Sequence, residues 1–321
     1  VVMTESNLAG QGLVFMCSGQ GSQKPGMGAD LLENPQVKDV FTCASDVFGM
    51  DVAALCSNAP AEVLNDTRNA QAAISALSIG IARALMYRGV MPSAVLGFSL
   101  GQTSALALSG MVSDEIAFKI IAKRSELMAQ AANEHPGCMS AFLKADLESV
   151  QAVCDECAQG QVLLPANLNC PGQIVVAGEA EAVERAEAAW AAAGKRATRL
   201  ATAGAFHTPL MQSAAEPFAQ FLSGIAFSEP AIPLINNVDA KPLAAKDAAV
   251  QLVAHLTHPV RFEESVRNVV ASSSVAPEFV ETGFGGVLFG LIKRIDKELP
   301  RACVQDAASM KAFLEAHGCA N

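Results

Sequence analysis

The sequence predicts an α/β protein with a mostly parallel sheet and an inserted small domain of the ferredoxin-like type. In the first and last thirds of the 321 residues, short buried strand patterns alternate with amphipathic helix patterns. That alternation is typical of a parallel sheet covered by helices on both faces. Between these parts, residues 134–203 follow the order βαββαβ of the ferredoxin-like unit. We therefore expect one domain formed by residues 1–133 and 204–321, interrupted by a second domain at 134–203.

Each element follows from its own pattern of apolar residues and turn residues. LVFMC at 13–17 predicts a buried strand that runs into the Gly-rich turn SGQGSQKPGMG. Before the insert we expect a strand at 94–98 and helices at 68–87, 100–108 and 114–132. Within it we expect strands at 138–143, 162–167, 173–177 and 196–201, and helices at 147–158 and 179–193. After it we expect helices at 209–222, 246–256, 262–271 and 286–297, and strands at 232–235 and 278–281.

Composition argues against several classes of function. The net charge of −10 gives no electrostatic basis for binding nucleic acid or an anionic membrane. Nine scattered cysteines favour free thiols in a reducing cytoplasm, and their spacing predicts no metal site. The first dozen residues lack the basic and apolar parts of a signal peptide. The most apolar helix is interrupted by Arg83, and we expect it to be too short to span a bilayer.

The stretch GFSLG places Ser99 between a predicted strand and a predicted helix. A serine flanked by Gly97 and Gly101 at this junction fits a nucleophile elbow, since the tight turn leaves no room for larger side chains. The start of the following helix would present free N–H groups and a positive dipole end beside the serine oxygen. A simple turn serine or helix cap is the alternative.

A nucleophilic serine needs a base, and the chain has five histidines to supply one. His207 in AGAFHTPLM lies in a loop just before a helix, with Thr208 as the cap and a proline at the first helical position. A structural loop histidine is the alternative there. Of the others, His135 lies at a helix end and His317 in the C-terminal part. His255 and His258 flank the end of a helix, where we expect surface or capping roles.

Arg124 falls in the middle of the apolar face of the helix predicted at 114–132. A buried guanidinium is rare unless an acid compensates its charge. Two interpretations stay open on this pattern alone. Arg124 either forms an internal salt bridge or lies in a pocket where it binds a substrate carboxylate in bidentate fashion.

Taken together, these motifs resemble those of the malonyl-CoA:acyl carrier protein transacylase family over nearly the whole chain. The resemblance rests on their order and spacing, because each motif alone would be weak. The matching stretches are SGQGSQ, GFSLGQ, KRSELM, NLNCPGQIVVAG, GAFHTPLM, INNVDA, HPVRF and ETGFGGVLFGLIKRI. It implies an α/β-hydrolase-like core with a ferredoxin-like insert, in agreement with the element pattern.

The resemblance also implies roles for individual residues. Ser99 would be the nucleophile, His207 the base and Arg124 the group that binds the malonyl carboxylate. The backbone N–H groups of Gln20 and Leu100 would form the oxyanion hole. A main-chain carbonyl near Arg261 would orient the histidine in place of an acid. The family pattern adds pocket positions, which in this chain are Phe98, Phe206, Gln71, Asn169 and Arg261.

The substrates implied are malonyl-CoA and phosphopantetheinylated acyl carrier protein, with coenzyme A released and no cofactor or metal bound. We expect a cytoplasmic monomer that supplies fatty acid or polyketide synthesis. The chain departs from the family pattern at Phe98 and Gln102, where histidine and glutamate are usual. These departures leave open a catalytically weak module that docks carrier proteins. A thioesterase or esterase of the same fold is a second alternative.

Overall fold

A computed structural model describes residues 12–319, so most of the segment considered for a signal peptide lies outside the described residues. The strands are β1 Leu13–Cys17, β2 Ala94–Gly97, β3 Cys138–Leu143, β4 Leu163–Cys170, β5 Gln173–Gly178, β6 Ala197–Arg199, β7 Leu234–Ile235, β8 Glu278–Thr282 and β9 Arg301–Val304. The α-helices are α1 Pro35–Phe48, α2 Val52–Asn58, α3 Ala61–Leu64, α4 Thr67–Tyr87, α5 Leu100–Leu108, α6 Asp114–Glu134, α7 Leu147–Ala158, α8 Ala180–Ala192, α9 Gln212–Leu222, α10 Ala248–Ala254, α11 Phe262–Ser272, α12 Val287–Ile295 and α13 Ala307–Ala316. Short 3₁₀ turns lie at Ala29–Leu31, Pro209–Met211 and Ala245–Asp247.

The larger sheet has the strand order β7-β2-β1-β8-β9, and every neighbouring pair is parallel. Its central strand β1 is buried on both faces. Phe15 and Cys17 belong to one apolar cluster, whereas Val14 and Met16 belong to another. This burial explains why LVFMC is a continuous apolar run rather than an alternating one. The prediction of a mostly parallel α/β sheet is confirmed.

The smaller sheet is antiparallel, with the order β4-β5-β3-β6. Together with α7 and α8, it has the strand arrangement of the ferredoxin-like unit. It has an apolar core of its own, in which Phe142 and Trp190 pack with ring centroids 5.0 Å apart. A separate core supports the proposal that residues 134–203 form a domain.

Some elements differ from the sequence prediction. Helices α1 to α3, strand β9 and helix α13 were not predicted, and β6 and β7 are shorter than expected. The expectation that the most apolar helix is too short for a membrane is wrong. Helix α4 has 21 residues, and its length and composition would allow it to cross a bilayer. However, 83% of the apolar 18-residue stretch of this helix is buried inside the protein, which is typical of a core helix.

The parallel sheet determines where the site lies. The carboxyl ends of parallel strands meet at one edge of a sheet, and the segments that follow them are therefore neighbours. The Gly-rich turn after β1, the turn after β2 and the segments after β7 and β8 all begin at this edge. The small sheet reaches the same region, because the N–H of Leu168 in β4 donates to the carbonyl of Val260 at 2.8 Å.

Candidate active site

Ser99 occupies the sharp turn between β2 and α5, with φ 52° and ψ −102°. This left-handed backbone is strained for a residue with a side chain. Both flanking glycines are required by packing. A Cβ on Gly101 would lie 2.0 Å from the carbonyl oxygen of Cys17, and one on Gly97 would lie 1.9 Å from the carbonyl carbon of Gly101. The local geometry is therefore that of a nucleophile elbow.

The side chain of His207 lies directly beside Ser99. Ser99 Oγ and His207 Nε2 are 2.7 Å apart, although the two residues are separated by 108 positions. The other ring nitrogen, Nδ1, is 2.8 Å from the main-chain carbonyl oxygen of His255. A carbonyl can only accept, so Nδ1 carries the proton and Nε2 is left to accept from the Ser99 hydroxyl. This tautomer is the one that a general base requires.

The carbonyl that orients His207 is not the one expected from the HPVRF stretch. It belongs to His255, six positions before Arg261. The Arg261 carbonyl instead accepts from Ser265 Oγ at 2.8 Å. The Arg261 side chain pairs with Glu264 at 3.2 Å and does not line the cavity. The difference arises because α10 ends beside His207 and presents its last carbonyls to the ring.

His255 is the C-cap residue of α10, as expected of a capping residue, but it does not lie on the surface. Its side chain is buried, and its ring centroid lies 5.0 Å from that of His207. Its Nε2 atom has no hydrogen-bond partner within residues 12–319. Burial, followed by the nearness of His207 and Arg124, lowers the pKa of His255 well below its usual value. No local sequence pattern signals this pairing of the two histidines, because it depends on where α10 packs.

Burial and the positive charge of Arg124 lower the pKa of His207 to about 3. A neutral imidazole is thus the stable form of His207 throughout the neutral pH range. Since only the neutral ring can take a proton from serine, the site is held in the state that acyl transfer needs.

Arg124 is 2% exposed and projects from α6 to the same serine. Its Nη2 donates to Ser99 Oγ at 3.2 Å, and its Nη1 makes a long contact of 3.5 Å with Gln71 Oε1. In the part of the chain that the structure describes, no carboxylate pairs with it. Burial lowers its pKa to about 10, which leaves it charged at neutral pH. The interpretation of Arg124 as one half of an internal salt bridge is therefore wrong.

The three side chains of Ser99, His207 and Arg124 line one cavity of about 210 Å³ between the two sheets. Gln20 and Leu100 line it as well. The main-chain N–H groups of these two residues have no hydrogen-bond partner within residues 12–319. Two free donors beside a serine hydroxyl are the composition of an oxyanion hole.

The remaining pocket candidates divide into two groups. Phe98, Phe206 and Asn169 line the cavity, as predicted from the family pattern. Gln71 lies behind it, where its Nε2 contacts Gln20 Oε1 at 3.5 Å and its Oε1 contacts Arg124. Side chains that sequence reasoning did not single out complete the apolar walls: Met128, Met139, Ala141, Val175, Leu200, Val287 and Leu291.

Asn237 is a further residue that the sequence reasoning did not single out. Its side-chain Oδ1 accepts from the N–H of Ser99 at 2.9 Å, and its Nδ2 donates to the carbonyl of Gly97 at 2.8 Å. The INNVDA stretch held the only available signal, namely two asparagines at the end of a short buried strand. Within the described residues, no cluster of three or more His, Cys, Asp or Glu side chains could hold a metal ion.

Comparison with known proteins agrees with this geometry. The acyl transferase domain family matches residues 14–310. A malonyl CoA-acyl carrier protein transacylase of Salmonella typhimurium is 40% identical over 307 residues, which cover 94% of this chain and 98% of that protein. The chain belongs to the malonyl-CoA:acyl carrier protein transacylase family. It is therefore an acyltransferase.

Other members of the family extend the match. A Bacillus subtilis member is 36% identical over 307 residues, covering 94% of this chain and 96% of that protein. Among solved structures, a malonyl-transacylase in complex with a type II PKS acyl-carrier protein superposes with a TM-score of 0.91 at 42% identity. That match covers 95% of this chain and 99% of the solved chain.

Proposed function

We propose that this chain transfers the malonyl group from malonyl-CoA to the phosphopantetheine thiol of acyl carrier protein through an ester on Ser99. One observation carries the proposal. Ser99 Oγ lies 2.7 Å from His207 Nε2 and 3.2 Å from Arg124 Nη2 within a single cavity. A nucleophile, its base and an unpaired cation are thus brought together where an acyl group with a carboxylate can bind.

In the first half-reaction, Ser99 Oγ attacks the thioester carbonyl and its proton moves to His207 Nε2. The N–H groups of Gln20 and Leu100 stabilise the negative charge on the former carbonyl oxygen. The C–S bond then breaks, and coenzyme A leaves as the thiol after taking the proton from His207. In the second half-reaction, the carrier thiol gives its proton to His207 and attacks the ester. Ser99 regains that proton as its C–O bond breaks.

Arg124 gives this mechanism its preference for a charged acyl group. A buried guanidinium without an acidic partner gains a large stabilisation when a malonyl carboxylate binds, and it opposes an uncharged acetyl group. Phe206 precedes His207 and lines the same cavity. We expect its ring to press on the α-carbon and to make methylmalonyl-CoA a poor substrate.

The alternatives differ in the fate of the acyl group. A thioesterase or esterase would release it to water and would normally use an acid to orient the histidine, whereas His207 is held by a main-chain carbonyl. A non-catalytic docking module would never form the ester. Phe98 packs edge-on against Phe262 with ring centroids 5.5 Å apart. The cavity wall is therefore packed at this position, where the family usually has histidine.

Intact-mass measurement after mixing with malonyl-CoA separates the three functions. A transferase gains one malonyl group, retains it in buffer and loses it when holo acyl carrier protein is added. A hydrolase sheds it without the carrier, and a docking module never gains it. Ser99→Ala is the matched variant, because alanine fits the elbow sterically. A malonyl group still bound covalently to Ser99→Ala would overturn the assignment of Ser99.

We place the reaction in the cytoplasm, in the service of fatty acid or polyketide synthesis. All nine cysteines are free, which is typical of a reducing compartment. The chain is acidic overall, and an acidic carrier would therefore need a local basic surface. Helix α12 offers one, because Val287 and Leu291 line the cavity and Lys293 and Arg294 lie in its last turn.

A further inference from the structure

Asn237 follows β7 at the carboxyl edge of the parallel sheet, beside the turn that carries Ser99. It is completely buried. All of its polar groups are used. The side chain bonds the N–H of Ser99 and the carbonyl of Gly97, and the main chain bonds the Gln102 side chain and the N–H of Arg261.

The two side-chain bonds reach both ends of the strained turn. Gly97 ends β2, and Ser99 has the left-handed backbone of the elbow. A turn held in such a conformation persists only when surrounding contacts over-determine it. The side-chain amide of Asn237 accepts from the N–H of Ser99 and donates to the carbonyl of Gly97. Because it bonds both ends of the turn, it fixes the direction in which Ser99 Oγ points.

The main-chain hydrogen bonds connect Asn237 to helix α5 and to the segment that contains Arg261. Gln102 Oε1 accepts from the N–H of Asn237, which ties Asn237 to the first turn of α5. The carbonyl of Asn237 accepts from the N–H of Arg261 at 2.9 Å. Arg261 belongs to the segment that begins at His255, whose carbonyl accepts a hydrogen bond from His207 Nδ1. Asn237 therefore lies between the supports of the nucleophile and those of the base.

We infer that Asn237 is a positioning residue for acyl transfer: it holds Ser99 in the geometry for attack, and Gln102 in turn holds Asn237. This inference rests on the proposed role of Ser99 as nucleophile. Asn237 does not line the cavity and makes no contact with Arg124. Its loss should therefore slow formation of the acyl-enzyme without weakening the binding of malonyl-CoA.

The first test compares Asn237→Ala with Asn236→Ala. Asn236 is an equally buried neighbour whose side chain bonds Asp239 and Gln251 instead of the elbow. We expect Asn237→Ala to slow acylation of Ser99 by malonyl-CoA roughly 10- to 100-fold, since small misplacements of reacting groups have effects of that size. Its KM should change by less than about threefold. Asn236→Ala should acylate within about threefold of wild type, with a similar loss of thermal stability.

The second test uses Gln102, in case Asn237→Ala fails to fold. Gln102→Leu removes the acceptor for the Asn237 N–H. Gln102→Glu keeps an acceptor, discards the Nε2 group that has no partner within residues 12–319, and places a carboxylate in the first turn of α5, where the helix dipole favours it. We expect Gln102→Leu to acylate at least about fivefold more slowly than Gln102→Glu, because only the second variant supports Asn237.

The outcomes separate this inference from the proposed function. If wild type forms no malonyl ester on Ser99, the proposed function fails and the inference fails with it. If wild type forms the ester but Asn237→Ala acylates as fast as Asn236→Ala, only the inference is overturned. Equal rates for Gln102→Leu and Gln102→Glu would overturn it as well. A slower Asn237→Ala with unchanged KM supports it.

Discussion

We propose that the charge of a single residue, Arg124, decides which acyl group is transferred. We expect Arg124→Ala to reduce malonyl transfer by roughly two to four powers of ten, which corresponds to about 3–5 kcal/mol for breaking a buried ion pair. Acetyl transfer should fall little or rise, because a buried unpaired cation no longer opposes it. The measurement is kcat/KM with malonyl-CoA and with acetyl-CoA.

Arg83→Ala is the control for this experiment. Arg83 pairs with Asp114 at 2.6 Å, away from the serine. Its loss should leave the ratio of malonyl to acetyl transfer unchanged. A parallel fall for both substrates in Arg124→Ala would mean that Arg124 supports the fold instead of binding a carboxylate.

The burial of His207 leads to a prediction about how acylation of Ser99 depends on pH. Its pKa is lowered from the ordinary 6.5 to about 3, so the neutral base persists as the solution is acidified. We expect the rate constant for acylation of Ser99 to stay flat between about pH 8 and pH 5.5. Quenched-flow measurement of the malonyl ester tests this. A half-maximal rate near the ordinary histidine pKa would contradict it.

The strand–turn–helix unit formed by β2 and α5 depends on small residues at two positions. A Cβ on Gly101 would lie 2.0 Å from a carbonyl oxygen of β1, so Gly101→Ala must push α5 away from the sheet. We expect it to lower the free energy of unfolding by about 2 kcal/mol or more and to abolish acylation, since the elbow would be displaced.

Gly290→Ala provides the matched change in another helix. Gly290 lies inside α12, and a Cβ there would meet open space. The free energy of unfolding of this variant should rise by about 0.5–1 kcal/mol, because alanine loses less backbone entropy than glycine when a helix forms. Urea unfolding of both variants tests the pair. Equal effects of the two substitutions would contradict the packing argument.

For the whole molecule, buried titratable groups make stability depend on pH. The pKa values of His207 and His255 are lowered, so their contributions are present above pH 6.5 and are lost as the pH falls. Burial raises the pKa of Glu281 from 4.5 to about 7, so its contribution is present below pH 4.5 and is lost as the pH rises through 7. Between these limits two histidines gain protons on unfolding and one carboxyl loses a proton.

On balance, unfolding therefore takes up protons in that window. We expect the free energy of unfolding to fall as the pH is lowered from 6.5 towards 4.5. Glu281→Gln removes the opposing group, so the fall should be steeper in that variant. Urea titrations at several pH values measure both slopes. A slope that is no steeper in Glu281→Gln would contradict this account.

The residues that the sequence identified are those whose signal is local. Ser99 stands between two glycines that only a tight turn requires, and Arg124 interrupts an apolar helix face. The βαββαβ order could likewise be predicted, because strand and helix periodicities are visible within short windows. No element was predicted between the Gly-rich turn and residue 68, where the structure has helices α1 to α3.

The amino-acid pattern alone was enough to predict the fold class, the family and three side chains proposed to carry out the chemistry: Ser99, His207 and Arg124. How these side chains are supported depends on the tertiary structure. It brought the carbonyl of His255 to His207 and the amide of Asn237 to Ser99, and it left Arg124 without an acid within the described residues. These two contacts join residues that are 48 and 138 positions apart. Such pairings follow from how helices and strands pack, which no local pattern in the sequence encodes.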